Sequence, residues 1–381
     1  MTKKITLMLL MAFVAITVSA ETTTETEEVQ NTSQTSTNDV PAWVKNIKFS
    51  GYAMLQYQGQ DKEGAHTNSF NLRLARFILD GKIGDFDWRA QIQGTNAKGP
   101  GEPTVQLVDL YTEWRKYPEF KIRAGQFKRA FTFENPTHPI TQGWRGYADV
   151  INRLSGFGDR AGEKSSGGRD IGVQLSGDIL PNASGRKLLH YQVGVYNGEG
   201  INRSDKNNQK DIIGGIWIMP MKGVRIGAFG WHGSHGDMVV GYTPAGTAIT
   251  DNVPLNRYAI SAEYDKDEYT FRAEYLHSQG WGTGVVGNNV INYNLGDKAD
   301  GWYAFGIVPI IKSKLHAKAR YQTYRVAKEW SSSVNQVECG LNYFFTKNLE
   351  MHLEYSHVND RNLAPDNHNY NLVDVELDFR F

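Results

Sequence analysis

Basic side chains gather in one stretch of the chain. Between Lys128 and Arg169 stand Lys128, Arg129, Arg145, Arg153, Arg160, Lys164 and Arg169 against Glu134, Asp149, Asp159 and Glu163, an excess of three positive charges. Guanidinium and ammonium groups grouped in this way can replace part of an anion's hydration with charge-assisted contacts while holding it weakly enough to release it. Phe131, Phe133, Trp144, Tyr147 and Phe157 lie in the same stretch. So many aromatics are too costly for a loop left in water, so the segment is expected to fold against something, either inward into a surrounding ring of elements or over neighbouring external loops.

Other reactive-looking stretches weigh less. "GTGVVG" at 282–287 has the spacing of a dinucleotide fingerprint, but neither a helical pattern nor an acidic partner follows it, so it reads as a loop. "HGSH" at 232–235 offers His232 and His235 with only Asp237 nearby, a poor metal set. His190, His277, His316, His352 and His357 fall on polar strand faces with no nucleophile motif beside them, so no enzyme and no cofactor are implied. The lone Cys339 shares parity with Val337 and Leu341. It reads as a small packing residue, hidden from an oxidising compartment.

The elements that position the basic groups are short and numerous. From Pro41 onward, stretches of about ten residues alternate apolar with polar and are separated by turn residues, which is strand periodicity. About sixteen such stretches can be counted, an even number that suits a closed barrel. Tight turns such as 81–85 and 265–268 alternate with long links such as 129–168 and 232–255, an asymmetry of outer-membrane barrels. Aromatics make up 12% of the chain, and 39 glycines stand against 12 prolines, a mixture that favours twisted antiparallel sheet.

"MTKKITLMLLMAFVAITVSA" has two lysines, an apolar run and a small-residue end, so 1–20 is expected to be a cleaved export signal. Residues 21–42 are polar and rich in Thr, Ser and Glu, a disordered spacer by composition. The barrel is expected over 43–381. Removing Lys3 and Lys4 with the leader leaves 39 basic residues against 41 acidic, which gives no reason to expect nucleic-acid binding. After residue 20 no run approaches the roughly 18 apolar residues of a membrane helix.

In a transmembrane barrel the apolar faces meet lipid and the charged faces line a lumen. By parity the lumen candidates include Arg73, Arg89, Arg123, Arg225, Arg272, Lys318 and Arg320, with Asp109, Glu263, Glu274, Glu338, Glu354, Asp374, Glu376 and Asp378 sharing that face. Trp88, Trp114, Trp217, Trp231, Trp302, Tyr343 and Tyr355 are candidates for interfacial girdles. The final "VDVELDFRF" puts Val373, Val375, Leu377, Phe379 and Phe381 on one face. Such a strand suits closure onto the first one, with Phe379 and Phe381 resembling the C-terminal signal read by outer-membrane assembly machinery.

"FSGYAMLQYQ", "NLRLARFILDGKI", "IRAGQFKRAFTFEN" and "GRDIGVQLSGDI", in that order, resemble the phosphate-selective porin O and P family of Gram-negative bacteria. The steps Gly125–Lys128 and Arg169–Gly172 are the most telling, and the similarity spans roughly 43–381. The resemblance implies a homotrimeric sixteen-strand barrel in outer-membrane lipid, whose long loop after the fifth strand narrows a passive pore for small anions. Lys128 and Arg129 match the family's step into that loop, and Arg73 and Arg76 lie in its second strand. Beside these, strand parity adds Arg123, and the basic cluster adds Arg145 and Arg153, to the cations expected to line the pore. Asp374, Glu376 and Asp378 depart from a purely basic lining. A general or weakly selective porin, or a barrel that binds partners through its outer loops, are the alternatives.

Overall fold

The alternating stretches form a closed antiparallel barrel in the computed structural model, which describes residues 46–65, 68–95, 105–157, 167–205, 207–279, 284–286, 290–292, 298–325 and 329–381. The leader and spacer expected at 1–42 lie outside the described residues, as do Arg160 and Lys164.

The strands are β1 (Lys48–Gln60), β2 (Asn68–Ile83), β3 (Phe86–Gly94), β4 (Val105–Tyr117), β5 (Phe120–Lys128), β6 (Arg169–Pro181), β7 (Lys187–Tyr196), β8 (Asp211–Ile218) and β9 (Val224–Tyr242). They continue with β10 (Ala248–Lys266), β11 (Tyr269–Gln279), β12 (Gly284–Val286), β13 (Val290–Asn292), β14 (Lys298–Ile311), β15 (Leu315–Arg325), β16 (Ser333–Thr346), β17 (Leu349–Asp360) and β18 (Asn369–Arg380). Sixteen of them close the ring in chain order, with β11 pairing β14 and β18 pairing β1. The other two, β12 and β13, pair with each other, so residues 284–286 of "GTGVVG" form one strand of a two-stranded sheet. Among the described residues no helix is long and apolar enough to cross a membrane.

Strand parity inverts the soluble pattern. On β16, Val337 is 54% exposed and Leu341 39% exposed on the outward face, while Glu338 is 1% exposed inside. Phe49, Phe77, Ile122, Val193, Ile260 and Leu353 continue the exposed outer belt. A band of this kind is stable against hydrocarbon and unstable against water. Cys339 lies exposed on this outer face and not in a packed interior, because strand parity keeps it with Val337 and Leu341.

Two further expectations are corrected. The link 232–255 is mostly strand: β9 and β10 extend to Tyr242 and Ala248 and meet in a short turn closed by the Thr243 N–H donating to the Thr247 carbonyl at 2.8 Å. Its Val, Tyr, Ile and Thr content favours pairing over looping. Trp217 and Trp231 leave the girdle set: Trp231 is 3% exposed and donates to Asp211 at 2.8 Å, and the Trp217 ring stacks on His190 at 3.9 Å. Both share the inward parity of the charged residues beside them. Trp302 and Tyr355 do sit exposed on the outer face.

Closure depends on the last strand. β1 and β18 pair from Tyr52↔Arg380 to Gln60↔Leu372, and Gly51 exchanges both backbone hydrogen bonds with Phe381, at 2.9 and 3.0 Å. The Phe381 ring lies 6.0 Å from Phe49 and 5.8 Å from Phe77. A Cβ on Gly51 would come within 2.5 Å of that ring and 2.6 Å of the Arg76 carbonyl. Gly51→Ala is expected to cost about 1–3 kcal/mol, measured as an earlier urea midpoint in detergent micelles; an unchanged midpoint would show that the seam does not require the close approach.

Candidate functional site

After Lys128 the chain leaves the wall and runs through the lumen. Its α-helix, α1 (Asp149–Leu154), buries Val150, Ile151 and Leu154 and packs on β11, β14 and β15. Strand β15 stands eight places round the ring from β5, so the segment reaches the opposite wall. An irregular backbone inside a barrel must have its polar groups satisfied by the walls, and the inward side chains do this. The Glu274 carboxylate accepts from the backbone N–H groups of Phe133 (3.0 Å) and Glu134 (2.8 Å), and from the Ser261 (2.5 Å) and Tyr303 (2.7 Å) hydroxyls. Glu354 accepts from the Arg145 N–H at 2.7 Å and Gln322 from the Asp149 N–H at 2.6 Å. Lys318 and Asn342 both donate to the Gly143 carbonyl, at 2.8 and 3.0 Å.

The aromatics of the segment provide the packing. Phe133 meets Trp217 and Phe229 edge-on at 5.5 and 5.4 Å, with the Arg225 guanidinium 4.1 Å from its ring centre. Trp144, 1% exposed, lies under Arg320 at 4.5 Å and Lys318 at 5.0 Å. Burial pushes the Glu134 carboxyl up to about 7 against the pull of Arg272 and Arg320.

Between the start of this segment and the wall of β3–β6 lies a cavity of about 240 Å³, lined by Arg89, Arg123, Lys128, Arg169, His138 and Asp109 among others. Arg169 binds Asp109 through two nitrogens, at 2.6 and 3.1 Å. Arg89 is paired with Asp80 and Arg123 with Glu113. Lys128 differs: its ammonium donates to the Asn135 and Thr137 carbonyls and the Tyr147 hydroxyl, each at 2.6 Å. Arg76, 4% exposed, likewise donates to the Tyr52 hydroxyl and the Gln93 amide oxygen, both at 2.8 Å. Neutral oxygens hold these two basic groups, so by formal charge Lys128, Arg76 and Arg169 with Asp109 sum to two positive charges in excess. Burial, with Lys128, Arg76 and Arg89 adding to it, holds the His138 imidazole down to about 3. The ring therefore stays neutral and can accept the Arg89 guanidinium at 3.1 Å.

The expected pore cations divide into groups. Lys128, Arg76 and Arg123 gather near the cavity, and Arg89, Arg169 and His138 join them. Arg129 also borders the cavity but is 1% exposed, with its guanidinium 4.6 Å from the Trp231 ring, 3.8 Å from Asp170 and donating to the Gly156 carbonyl. Arg73 is the extra residue of a β-bulge, since Met54 pairs Leu74 while Leu55 pairs Leu72. The bulge turns it inward as well as Arg76, three positions on, and it binds Glu376 at 2.7 Å. Arg145 reaches Asp374 at 3.3 Å. Arg153 is exposed on α1. His138 had no sequence signal, because nothing but the fold brings it to Arg89.

No protein-family model and no curated protein matches the chain. Solved structures match over most of its length. The OmpF of Salmonella typhi, in complex with daunomycin, is 12% identical, with 88% of this chain and 98% of that one covered and a TM-score of 0.64. An anion-selective porin from Comamonas acidovorans is 10% identical, with 88% and 99% covered and a TM-score of 0.62. The OprB of Pseudomonas putida is 10% identical, with 89% and 95% covered and a TM-score of 0.60. At these identities the likeness establishes the fold: a sixteen-stranded porin barrel.

Hydrogen bonds to a carboxylate contribute about 1.5–3 kcal/mol each. Glu274→Gln, which turns an NH₂ toward at least one of its donors, is expected to loosen 133–134 by about 2–3 kcal/mol. The readout is faster limited proteolysis between 129 and 157 in micelles. Cleavage at the wild-type rate would show that the carboxylate does not hold the segment.

Proposed function

We propose that the chain is an outer-membrane porin, exported by a cleaved leader, that forms a passive water-filled channel with a preference for anions. The observation that carries this reading is the net positive group around Lys128 and Arg76, set beside a cavity in the lumen at the point where the inner segment leaves the wall. Phosphate-like anions are the finer proposal, taken from the resemblance at Gly125–Lys128 and Arg169–Gly172. A homotrimer, insertion by the outer-membrane assembly machinery through Phe379 and Phe381, and a pore narrowed by 129–168 belong to the same reading. The porin fold and the apolar outer belt support it, and the Comamonas acidovorans barrel of the same fold is an anion-selective porin.

The three Lys128 hydrogens are committed to neutral oxygens, so Lys128 acts on a passing anion through its field and not as a contact donor. A unit charge about 4 Å away in a water-like dielectric is worth about 1 kcal/mol, or roughly fivefold in relative permeability. Arg129, paired with Asp170, adds little to that field.

A weakly selective channel is the second reading, favoured by the ion pairs elsewhere in the lumen. Lys318 with Glu354 and Arg320 with Glu338 cancel charge in place, and Glu263 offsets one of the two charges of Arg225 and Arg272.

Lys128→Gln is expected to lower the chloride-to-potassium permeability ratio about fivefold, and Arg76→Gln to act in the same direction. Reversal potentials under a salt gradient in planar bilayers read both, with Arg129→Gln as the comparison of small effect. Equal reversal potentials for the wild type and the Lys128 variant would remove this cation from the selectivity of the pore.

A further inference from the structure

A second constellation lies on the β17–β18 wall, away from the cationic cavity. Glu350 pairs Asp378 across the two strands, and His352 follows on the same inward face. The three side chains are 3%, 1% and 2% exposed. His352 Nε2 lies 3.1 Å from Glu350 Oε1 and 3.2 Å from Asp378 Oδ2, and one donor atom from each residue falls within 4.8 Å of the others. Nε2 nevertheless has hydrogen-bond geometry to neither carboxylate, and Asp378 Oδ1 has no partner.

The opposite side of the ring is held by Asn342. His352 Nδ1 is 2.8 Å from Asn342 Oδ1, and Asn342 uses its amide nitrogen to donate to the Gly143 carbonyl at 3.0 Å. The Asn342 oxygen therefore faces the ring and takes the Nδ1 proton. Lys318 stands 3.3 Å from the same nitrogen and is held by the Gly143 carbonyl and the Glu354 carboxylate. With Nδ1 taken up on that side, Nε2 is the ring atom that faces the two carboxylates.

We propose that Glu350, His352 and Asp378 form a divalent transition-metal site, with Zn²⁺ the ion their donor set suits. Ligands about 2.1 Å from one ion lie about 3.0 Å apart in cis-octahedral geometry and about 3.4 Å apart in tetrahedral geometry. The observed 3.1 and 3.2 Å fall between these. One imidazole with two carboxylates is a borderline set, too nitrogen-rich for Ca²⁺ and lacking the thiolates of a soft-metal site. Asn342 on Nδ1, and Arg380 on the second Glu350 oxygen at 2.8 Å, supply the outer contacts that orient metal ligands. Glu350, Asn342 and Arg380 also line a lumen cavity of about 340 Å³, which gives an ion access. The site fixes an ion between the last two strands, close to the seam that β18 makes with β1.

Calorimetric titration of EDTA-treated, refolded barrel with Zn²⁺ tests this. One ion bound per chain is expected, with affinity reduced at least tenfold in His352→Gln and in Asp378→Asn, and 10- to 100-fold in Asn342→Ala, which removes only the orienting contact. Heat-dependent gel mobility reports that each variant retains its barrel. No binding by the wild type would overturn the site, and so would binding unchanged in the His352 and Asp378 variants, because the ion would then sit elsewhere, for example on His232. Neither result bears on the anion preference of the channel.

Discussion

Glu274 takes four hydrogen bonds, and the course of the lumen segment depends on them. A chain that leaves the wall at Lys128 has no strand partner, so its N–H groups must find acceptors or remain in water. One carboxylate on β11 receives two consecutive backbone donors, while Ser261 and Tyr303 hold the carboxylate itself in place. Phe133 is thereby fixed against Trp217 and Phe229, α1 is delivered to β14 and β15, and Lys128 is left beside the cavity, hydrogen-bonded to neutral oxygens. The geometry of the cationic group follows from an anionic anchor on the other side of the barrel.

Much of the charge elsewhere in the lumen is held in ion pairs. Breaking one partner of a buried pair leaves the other uncompensated, typically at a cost of several kcal/mol, so Lys318–Glu354 and Arg320–Glu338 are better understood as parts of the wall than as stations for a permeating ion. Asp374 and Glu376, which look in the sequence like a challenge to anion passage, are bound by Arg145 and Arg73. What distinguishes Lys128 and Arg76 is therefore the kind of partner each has, more than the number of cations present.

Much of the fold was legible in the chain. Alternation located the strands, and parity put Glu274, Lys318, Arg320, Glu338 and Glu354 on one face and Val337, Cys339 and Leu341 on the other. Parity also carried the means to place Trp231, which lies six residues from Arg225 and so on the inward face; its expected position at a girdle rested on residue type alone. Other features depend on the third dimension. The bulge at Arg73 breaks strict alternation and was invisible, as was the burial of Arg129, whose partners come from β6 and β9. His138 meets Arg89, and His352 meets Asp378, only because separate segments are brought side by side.

Single-channel recording of the purified wild-type barrel in a planar bilayer under a potassium chloride gradient tests the central claim most directly. The account predicts a stable conductance whose reversal potential lies on the chloride side. A reversal potential on the potassium side, or no conductance at all, would contradict it.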